Sequence, residues 1–190
     1  MSPALPYGRT DMRALILKMD ISLDGFVGAA DGDVEWAVED FGDAELQESM
    51  VAGLWEAGTH LMGRGAYDDM SPYWPTSDEP YAPPMNEIPK VVFSRTLTDP
   101  AWAGTRVVAG DLEREIAALK AEPGDPILLH GGASFARELA RLGLIDEYRL
   151  LVHPVALGAG LPLFAEPVRL RLTATRAFAT GIVASTLVPV

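Results

Sequence analysis

Pro126-Ile127-Leu128-Leu129-His130-Gly131-Gly132-Ala133-Ser134-Phe135-Ala136-Arg137-Glu138-Leu139-Ala140-Arg141-Leu142-Gly143 is the stretch that decides the fold. Its first four residues form a short apolar run closed by turn residues, the signature of a buried strand. Gly131-Gly132 gives a tight passage, and Phe135, Leu139 and Leu142 then recur at the spacing of one helical face. Gly143 supplies the stop. A strand that feeds a helix through glycine is the building unit of a parallel α/β sheet.

The same alternation extends outward in both directions. Upstream, Arg13 to Ile21 is predicted as a strand ended by Asp24 and Gly25. Asp43 is the predicted N-cap of a helix striped by Leu46, Met50 and Leu54, with Gly58 as its stop. Thr59 to Met62 is a strand running into Gly63. Residues 71–89 hold six prolines and read as one long irregular loop. Strands follow at Lys90 to Phe93 and Thr105 to Val108, then a helix from Asp111 carrying Leu112, Ile116 and Leu119. Downstream the character changes. Glu147 to His153 is a strand, Val168 to Ala174 alternates apolar with polar residues, and Ile182 to Val188 follows a Thr180-Gly181 turn. Such alternation indicates antiparallel strands with one wetter face. The expectation is an α/β domain over residues 13–190, a mixed sheet with helices on both faces, preceded by a disordered leader over 1–12 with Pro3, Pro6 and Gly8.

Composition narrows the partners. The net charge is -12, from 15 basic and 27 acidic residues, which argues against nucleic acid. No apolar run approaches the length of a membrane span or a signal peptide. The absence of cysteine fits a reducing cytoplasm. His60, His130 and His153 lie far apart in sequence with no helical ligand spacing, so no metal site is expected and each reads as an ordinary hydrogen-bonded histidine.

Glycines at strand ends carry the chemical signal. Leu61-Met62-Gly63-Arg64-Gly65 and Leu129-His130-Gly131-Gly132-Ala133-Ser134 both lead from a strand through glycine into a helix start. There the backbone can approach a ligand, and free N–H groups favour a phosphate. Ser94-Arg95 ends a third strand and extends that edge. Ordinary tight turns would account for either glycine site taken singly. Gly158-Ala159-Gly160 is no dinucleotide fingerprint, since Leu163 replaces the third glycine and Pro162 obstructs a helix. Gly132-Ala133-Ser134-Phe135-Ala136 lacks the last glycine of a nucleophile elbow, and Asp146 and His153 are only seven residues apart. Glu35, Glu39, Asp40 and Asp43 form an acidic helix start from which one carboxylate could enter a pocket, while Trp36 and Trp74 suit pocket lining.

Taken together, six segments resemble the dihydrofolate-reductase-like superfamily, in particular the branch of the reductase domain of bacterial riboflavin biosynthesis. They are Lys18 to Gly25, Leu61 to Arg64, Val92 to Arg95, Leu129 to Ala133, Leu144 to Glu147 and His153 to Gly160. The resemblance implies an eight-stranded sheet with NADPH, or alternatively NADH, laid across the strand ends. It implies that Gly63, Arg64, Ser94 and Arg95 meet phosphates and that Gly131, Gly132, Ala133 and Ser134 cradle the pyrophosphate, across a junction that is often a cis peptide in relatives. Asp20 would offer backbone contacts to the nicotinamide, and Asp24 and Val27 would belong to the loop above it. Trp36 and Tyr67 would line the substrate pocket, with Asp40 or a bound water as the proton donor. The implied activity is hydride transfer to a small heterocyclic or carbonyl substrate, in a homodimer. A non-catalytic nucleotide-binding protein on the same fold is the alternative.

Overall fold

Leu15, Ile16 and Leu17 are apolar at three consecutive positions and all three are buried. Successive side chains of a strand point to opposite faces, so such a run has to be covered on both sides. The computed structural model, which describes residues 12–38 and 43–190, meets that need by placing this strand in the middle of one sheet. In chain order the elements are β1 (Leu15–Ser22), α1 (Glu35–Val38), α2 (Ala44–Trp55), β2 (Thr59–Gly63), α3 (Arg64–Met70), α4 (Ala82–Glu87), β3 (Lys90–Phe93) and β4 (Thr105–Val108). They continue with α5 (Leu112–Ala121), β5 (Ile127–Leu129), α6 (Ala133–Arg141), β6 (Glu147–His153), β7 (Leu170–Ala177) and β8 (Val183–Pro189).

The eight strands lie in the order β4-β3-β2-β5-β1-β6-β8-β7. From β4 through β6 every neighbouring pair is parallel, and β8 runs antiparallel to both β6 and β7. The mixed α/β sheet expected from the sequence is thus present, with the antiparallel strands at its C-terminal end. One core layer joins Leu15, Leu17, Ile127 and Leu129 to Ile116, Leu119 and Leu139 of α5 and α6. The other joins Ile16, Met62, Val92 and Leu128 to Leu46, Met50 and Leu54 of α2 and to Tyr67 and Met85 of α3 and α4.

Local chemistry sets the boundaries. Asp43 caps α2 by accepting from the N–H groups of Glu45 and Leu46, and Asp111 caps α5 by accepting from that of Arg114. Gly143 takes a positive φ of 65° just past α6, a conformation that costs glycine little. Gly58 does not play the expected role. The helix ends at Trp55 with Glu56 as its cap, and Gly58 instead lets β2 start against Asp125, whose backbone N would stand 3.0 Å from a Cβ there.

Residues 71–89 also depart from the expected continuous loop, because the segment folds into a 3-10 turn at Trp74–Thr76 and the helix α4. Proline is tolerated in the first turn of a helix, where its missing N–H has no partner to lose, and Pro75 and Pro83 occupy such positions. The wetter face expected near Val168 is broader than alternation implied, since every residue of β7 after Leu170 is exposed. At the Gly131-Gly132 junction the expected cis bond is absent. No cis peptide occurs among the described residues, and the turn is made by positive φ at both glycines.

Lys90 fixes the segment that precedes β3. It is 1% exposed, and its ammonium donates to the carbonyls of Met85 (3.0 Å), Asn86 (2.8 Å) and Ile88 (3.0 Å) at the end of α4. It also lies 4.8 Å from the centre of the Trp102 ring. Burial lowers its pKa to about 8, so at neutral pH it remains a charged cap for carbonyls that have no other helical donor. Replacing it with the apolar Lys90→Met would leave those carbonyls buried without a donor. The expected loss is about 3 kcal/mol of unfolding free energy in urea titration. A loss below about 1 kcal/mol would show that the carbonyls find other partners.

Candidate functional site

The glycine-bearing strand ends assemble at one edge of the sheet. Gly63 closes β2 and precedes α3, and a Cβ there would stand 3.0 Å from Cβ of Phe135 in the first turn of α6. A side chain there would be tightly crowded, so glycine eases the close approach of these two helix starts. Gly131 and Gly132 have φ of 80° and 76°. A Cβ on Gly131 would stand 2.7 Å from Cε of Met19, so strand β1 closes that side as well. Helix α6 opens at Gly132 with no side-chain cap, and the first-turn N–H groups of Ala133 and Ser134 have no intrahelical acceptor.

Arginine and hydroxyl side chains surround this edge. The Arg64 Nε donates to both carboxylate oxygens of Asp68 at 2.7 Å, and Nη1 reaches Thr96 Oγ1 at 3.4 Å. Arg64 thereby spans from α3 to the turn after β3. In that turn Ser94 Oγ accepts from the N–H groups of Thr96 (3.2 Å) and Leu97 (3.0 Å). Arg95 is exposed beside it. The structure therefore brings Gly63, Arg64, Ser94, Gly131, Gly132, Ala133 and Ser134 to one end of the sheet, as the sequence led us to expect of them.

Other expected residues are placed differently. Val27 is buried in the core, and its N–H donates to Leu161 O at 2.8 Å. The Asp24 carboxylate accepts from Ser22 Oγ (2.7 Å), Leu157 N (3.1 Å) and Gly158 N (2.7 Å). These bonds, the Ser22 hydroxyl foremost, hold its pKa below the usual range. Its side chain is committed to joining two loops. Tyr67 is 4% exposed, stacks at a tilt 6.5 Å from Trp102 and accepts from the Trp102 N–H. That placement gives it a packing role in the core in place of the pocket-lining one expected. Asp40 lies outside the described residues.

Two histidine contacts were not legible in the sequence. His153 is 1% exposed, and its Nε2 lies 2.9 Å from Asp20 Oδ1 across neighbouring strands β1 and β6. Trp36 meets the same imidazole edge-on, with ring centres 5.3 Å apart. Both His153 Nδ1 and Trp36 Nε1 are buried without a hydrogen-bond partner among the described residues. Only the β1–β6 register, which sets Ser22 beside His153, could have brought together residues 133 positions apart.

The second contact is between His60 and His130, whose Nδ1 and Nε2 are 2.8 Å apart. His60 Nε2 lies 3.1 Å from the Pro84 carbonyl. A carbonyl only accepts, so Nε2 of His60 carries its proton and Nδ1 accepts from His130. Each histidine is hydrogen-bonded, as expected; His60 and His130 bond each other, while His153 bonds Asp20. A hydrolase triad does not form, because Asp146 is engaged by the Leu15 N–H and by Lys120 at the opposite end of β6. Among the described residues no cluster of potential metal ligands occurs.

A groove of about 720 Å³ lies elsewhere, lined by Lys18, Gly53, Arg149, Arg176 and Thr186 between α2 and strands β6, β8 and β7. None of the residues expected to bind cofactor lines it.

A sheet of this order with a glycine-lined edge defines the dihydrofolate-reductase-like class. Dihydrofolate reductase from Enterococcus faecalis, solved with NADP(H), superposes with a TM-score of 0.61 at 13% identity, covering 93% of this chain and 96% of that one. A structure from Shewanella sp. PV-4, provisionally assigned to riboflavin biosynthesis, gives a TM-score of 0.73 at 24% identity, over 93% of this chain and 99% of that one. In sequence, residues 13–184 match the RibD C-terminal domain, and the chain belongs to that family. The uncharacterized protein YyaP of Bacillus subtilis is 34% identical over 179 residues, 90% of this chain and 92% of that protein.

The buried histidine pair has a consequence for stability. Burial lowers His60 to about 4, while an unfolded histidine titrates near 6.5. Between those values the unfolded chain binds more protons, so stability falls as pH drops from about 6.5 to about 4. The expected contribution is about 3 kcal/mol over that window. Urea titrations of wild type and His60→Gln across it should show a shallower decline in the variant. Equal declines would contradict the assignment.

Proposed function

We propose that this protein is an NADPH-dependent reductase that transfers hydride to a small heterocyclic or carbonyl acceptor. The observation that carries the reading is the pair Gly131-Gly132, in positive φ and leading uncapped into α6 beside Gly63 and Arg64. Backbone N–H groups at such a junction suit a pyrophosphate, positive φ disfavours a side chain at Gly131, and Phe135 crowds one at Gly63. Arg95, exposed at the end of β3, is free to meet a 2′-phosphate, and Arg64 lies between it and the helix starts. When bound, NADPH supplies the hydride. The chain's own residues position it: Asp20 by its backbone at the end of β1, and the Ser22–Gly28 loop by closing over that end. Membership of the RibD C-terminal domain family and the likeness to dihydrofolate reductase support a reductase. No described helix is long and apolar enough to cross a membrane, and we place the protein in the cytoplasm.

Titration calorimetry tests the cofactor. NADPH should bind more tightly than NADH, and Arg95→Ala should weaken NADPH by about 1.5–3 kcal/mol while leaving NADH nearly unchanged. Gly132→Val opposes a positive φ and brings a branched side chain to the helix start. A variant folded by circular dichroism should show no NADPH heat. Wild-type affinity in folded Gly132→Val would refute the site.

The proposal includes a homodimer. Strand β7 forms an open sheet edge, and Leu172 is 52% exposed on it. An edge of this kind is a template for pairing with another copy unless it is covered. Light scattering should give twice the chain mass of 20.4 kDa at micromolar concentration, and a monomer mass would refute it.

A further inference from the structure

Charge is divided unevenly along this chain. Between Met19 and Pro89 lie sixteen of the 27 acidic residues but only one of the 15 basic ones, Arg64. That stretch supplies Asp20 at the end of β1, then α1, α2, β2, α3 and α4, the elements beside the strand edge on the α2 face. Arg64 is itself held by Asp68 and turned toward Thr96, on the phosphate side.

Asp20, between Lys18 and Ser22 on its own face of β1, is met from other elements by aromatic side chains. His153 holds one carboxylate oxygen of Asp20, and Trp36 packs on His153. Tyr81, close enough to feel the Asp20 charge, has its hydroxyl 3.9 Å from Met50 Sδ and Trp74 next to it at 6.3 Å between ring centres. Burial raises the Tyr81 pKa, and Glu79 and Asp20 raise it further, so this hydroxyl stands in a negative field. The cation on the same face of β1, Lys18, lines the groove between α2 and strands β6, β8 and β7, and Arg149 there is paired with Glu56 and Glu147. Two buried nitrogens beside Asp20, His153 Nδ1 and Trp36 Nε1, are left without partners among the described residues. Buried polar atoms of this kind are normally satisfied, by protein, water or a ligand.

We propose that the acceptor side of the cleft selects against anions: its substrate is a planar molecule, uncharged or cationic, that carries neither phosphate nor carboxylate. This rests on the reductase reading for the identity of the cleft. Aromatic walls suit a flat ring, and a carboxylate fixed by an imidazole accepts N–H or O–H groups but repels oxyanions. With no Lys or Arg in residues 19–63 or 65–89, an anionic substituent would find carboxylates where it needs a counter-charge. Specificity then comes from repulsion as much as from attraction.

Two fluorescent probes share one ring and differ by one charge: pterin, neutral at neutral pH, and pterin-6-carboxylate. Their dissociation constants are measured with NADP+ saturating, at about 20 mM and about 0.5 M salt, across which screening changes severalfold. Pterin should bind at least about tenfold tighter at low salt, and the gap should shrink at high salt. Asp20→Asn, read at an NADP+ concentration that saturates the variant, should narrow the gap by at least about threefold at low salt. Binding of pterin-6-carboxylate as tight as pterin overturns the proposal. So does binding of neither probe by protein that binds NADP+, or a gap indifferent to both salt and Asp20→Asn. Should NADP+ fail to bind while the pterin preference and its salt dependence hold, the reductase reading falls and the charge selection stands.

Discussion

Strand β1 pairs on one side with β5 and on the other with β6, both parallel to it, and the rest of the molecule is arranged around that double pairing. Its first three residues are apolar and buried on both faces, so they need both helix layers. Beyond them the face toward α2 changes to Lys18, Asp20 and Ser22, while Met19 and Ile21 keep the opposite face apolar. A single strand thus passes from core to site along its length. The register with β6 sets Asp20 beside Leu151 and Ser22 beside His153, which brings the carboxylate within reach of the imidazole. A slip of one residue would turn Asp20 toward α6 and break both arrangements at once.

How much of this was legible in the sequence depended on the range of the chemistry. Glycine conformation, helix caps and apolar stripes act over a few residues. Accordingly Gly131-Gly132, Asp43, Asp111 and the Leu46-Met50-Leu54 stripe could be read directly, and the structure has them where they were expected. The contact of His60 with His130 and that of Asp20 with His153 depend on which strands become neighbours. Sequence separation was a poor guide to either. Tyr67 shows the opposite error. Its place after Gly63-Arg64 suggested a pocket, but in a helix of seven residues it falls on the side that packs on Trp102. The proline-rich segment misled for a further reason. Proline excludes strands and helix interiors yet favours helix starts, so the same residues that suggested a loop initiate the turn at Trp74 and helix α4.

Buried polar groups are treated in two ways on the α2 face. His60 and His130 are kept neutral, each low in pKa through burial, and they satisfy one another and the Pro84 carbonyl. Lys90 stays charged at neutral pH and donates to three carbonyls. Both devices act on the same short stretch, since Pro84, Met85, Asn86 and Ile88 are all acceptors. Asn86 adds a bond to the Trp74 carbonyl and accepts from Trp102. Helix α4 is too short to be stable by itself. It is held by side chains that reach it from β2 and β3, so the wall containing Tyr81 inherits the rigidity of the sheet.

The loop after β1 is held just as firmly, but from the other end of the chain. Leu23 N–H donates to Val155 O, Val27 N–H to Leu161 O and Leu161 N–H to Gly28 O, with a further bridge between Phe26 and Pro162. Asp24 adds two bonds to Leu157 and Gly158. Gly160 makes this approach feasible, because a Cβ there would collide with the Gly28 carbonyl. Segments 23–28 and 155–162 are therefore one hydrogen-bonded unit, with Val27 and Leu163 buried beneath it. Arg137 of α6 extends the linkage by donating to the Pro162 carbonyl at 2.9 Å. Displacing the loop above β1 would break several backbone bonds and expose two core side chains. The segment thus serves as an extension of the scaffold, and any adjustment to a ligand at the strand edge falls to the side chains that border it.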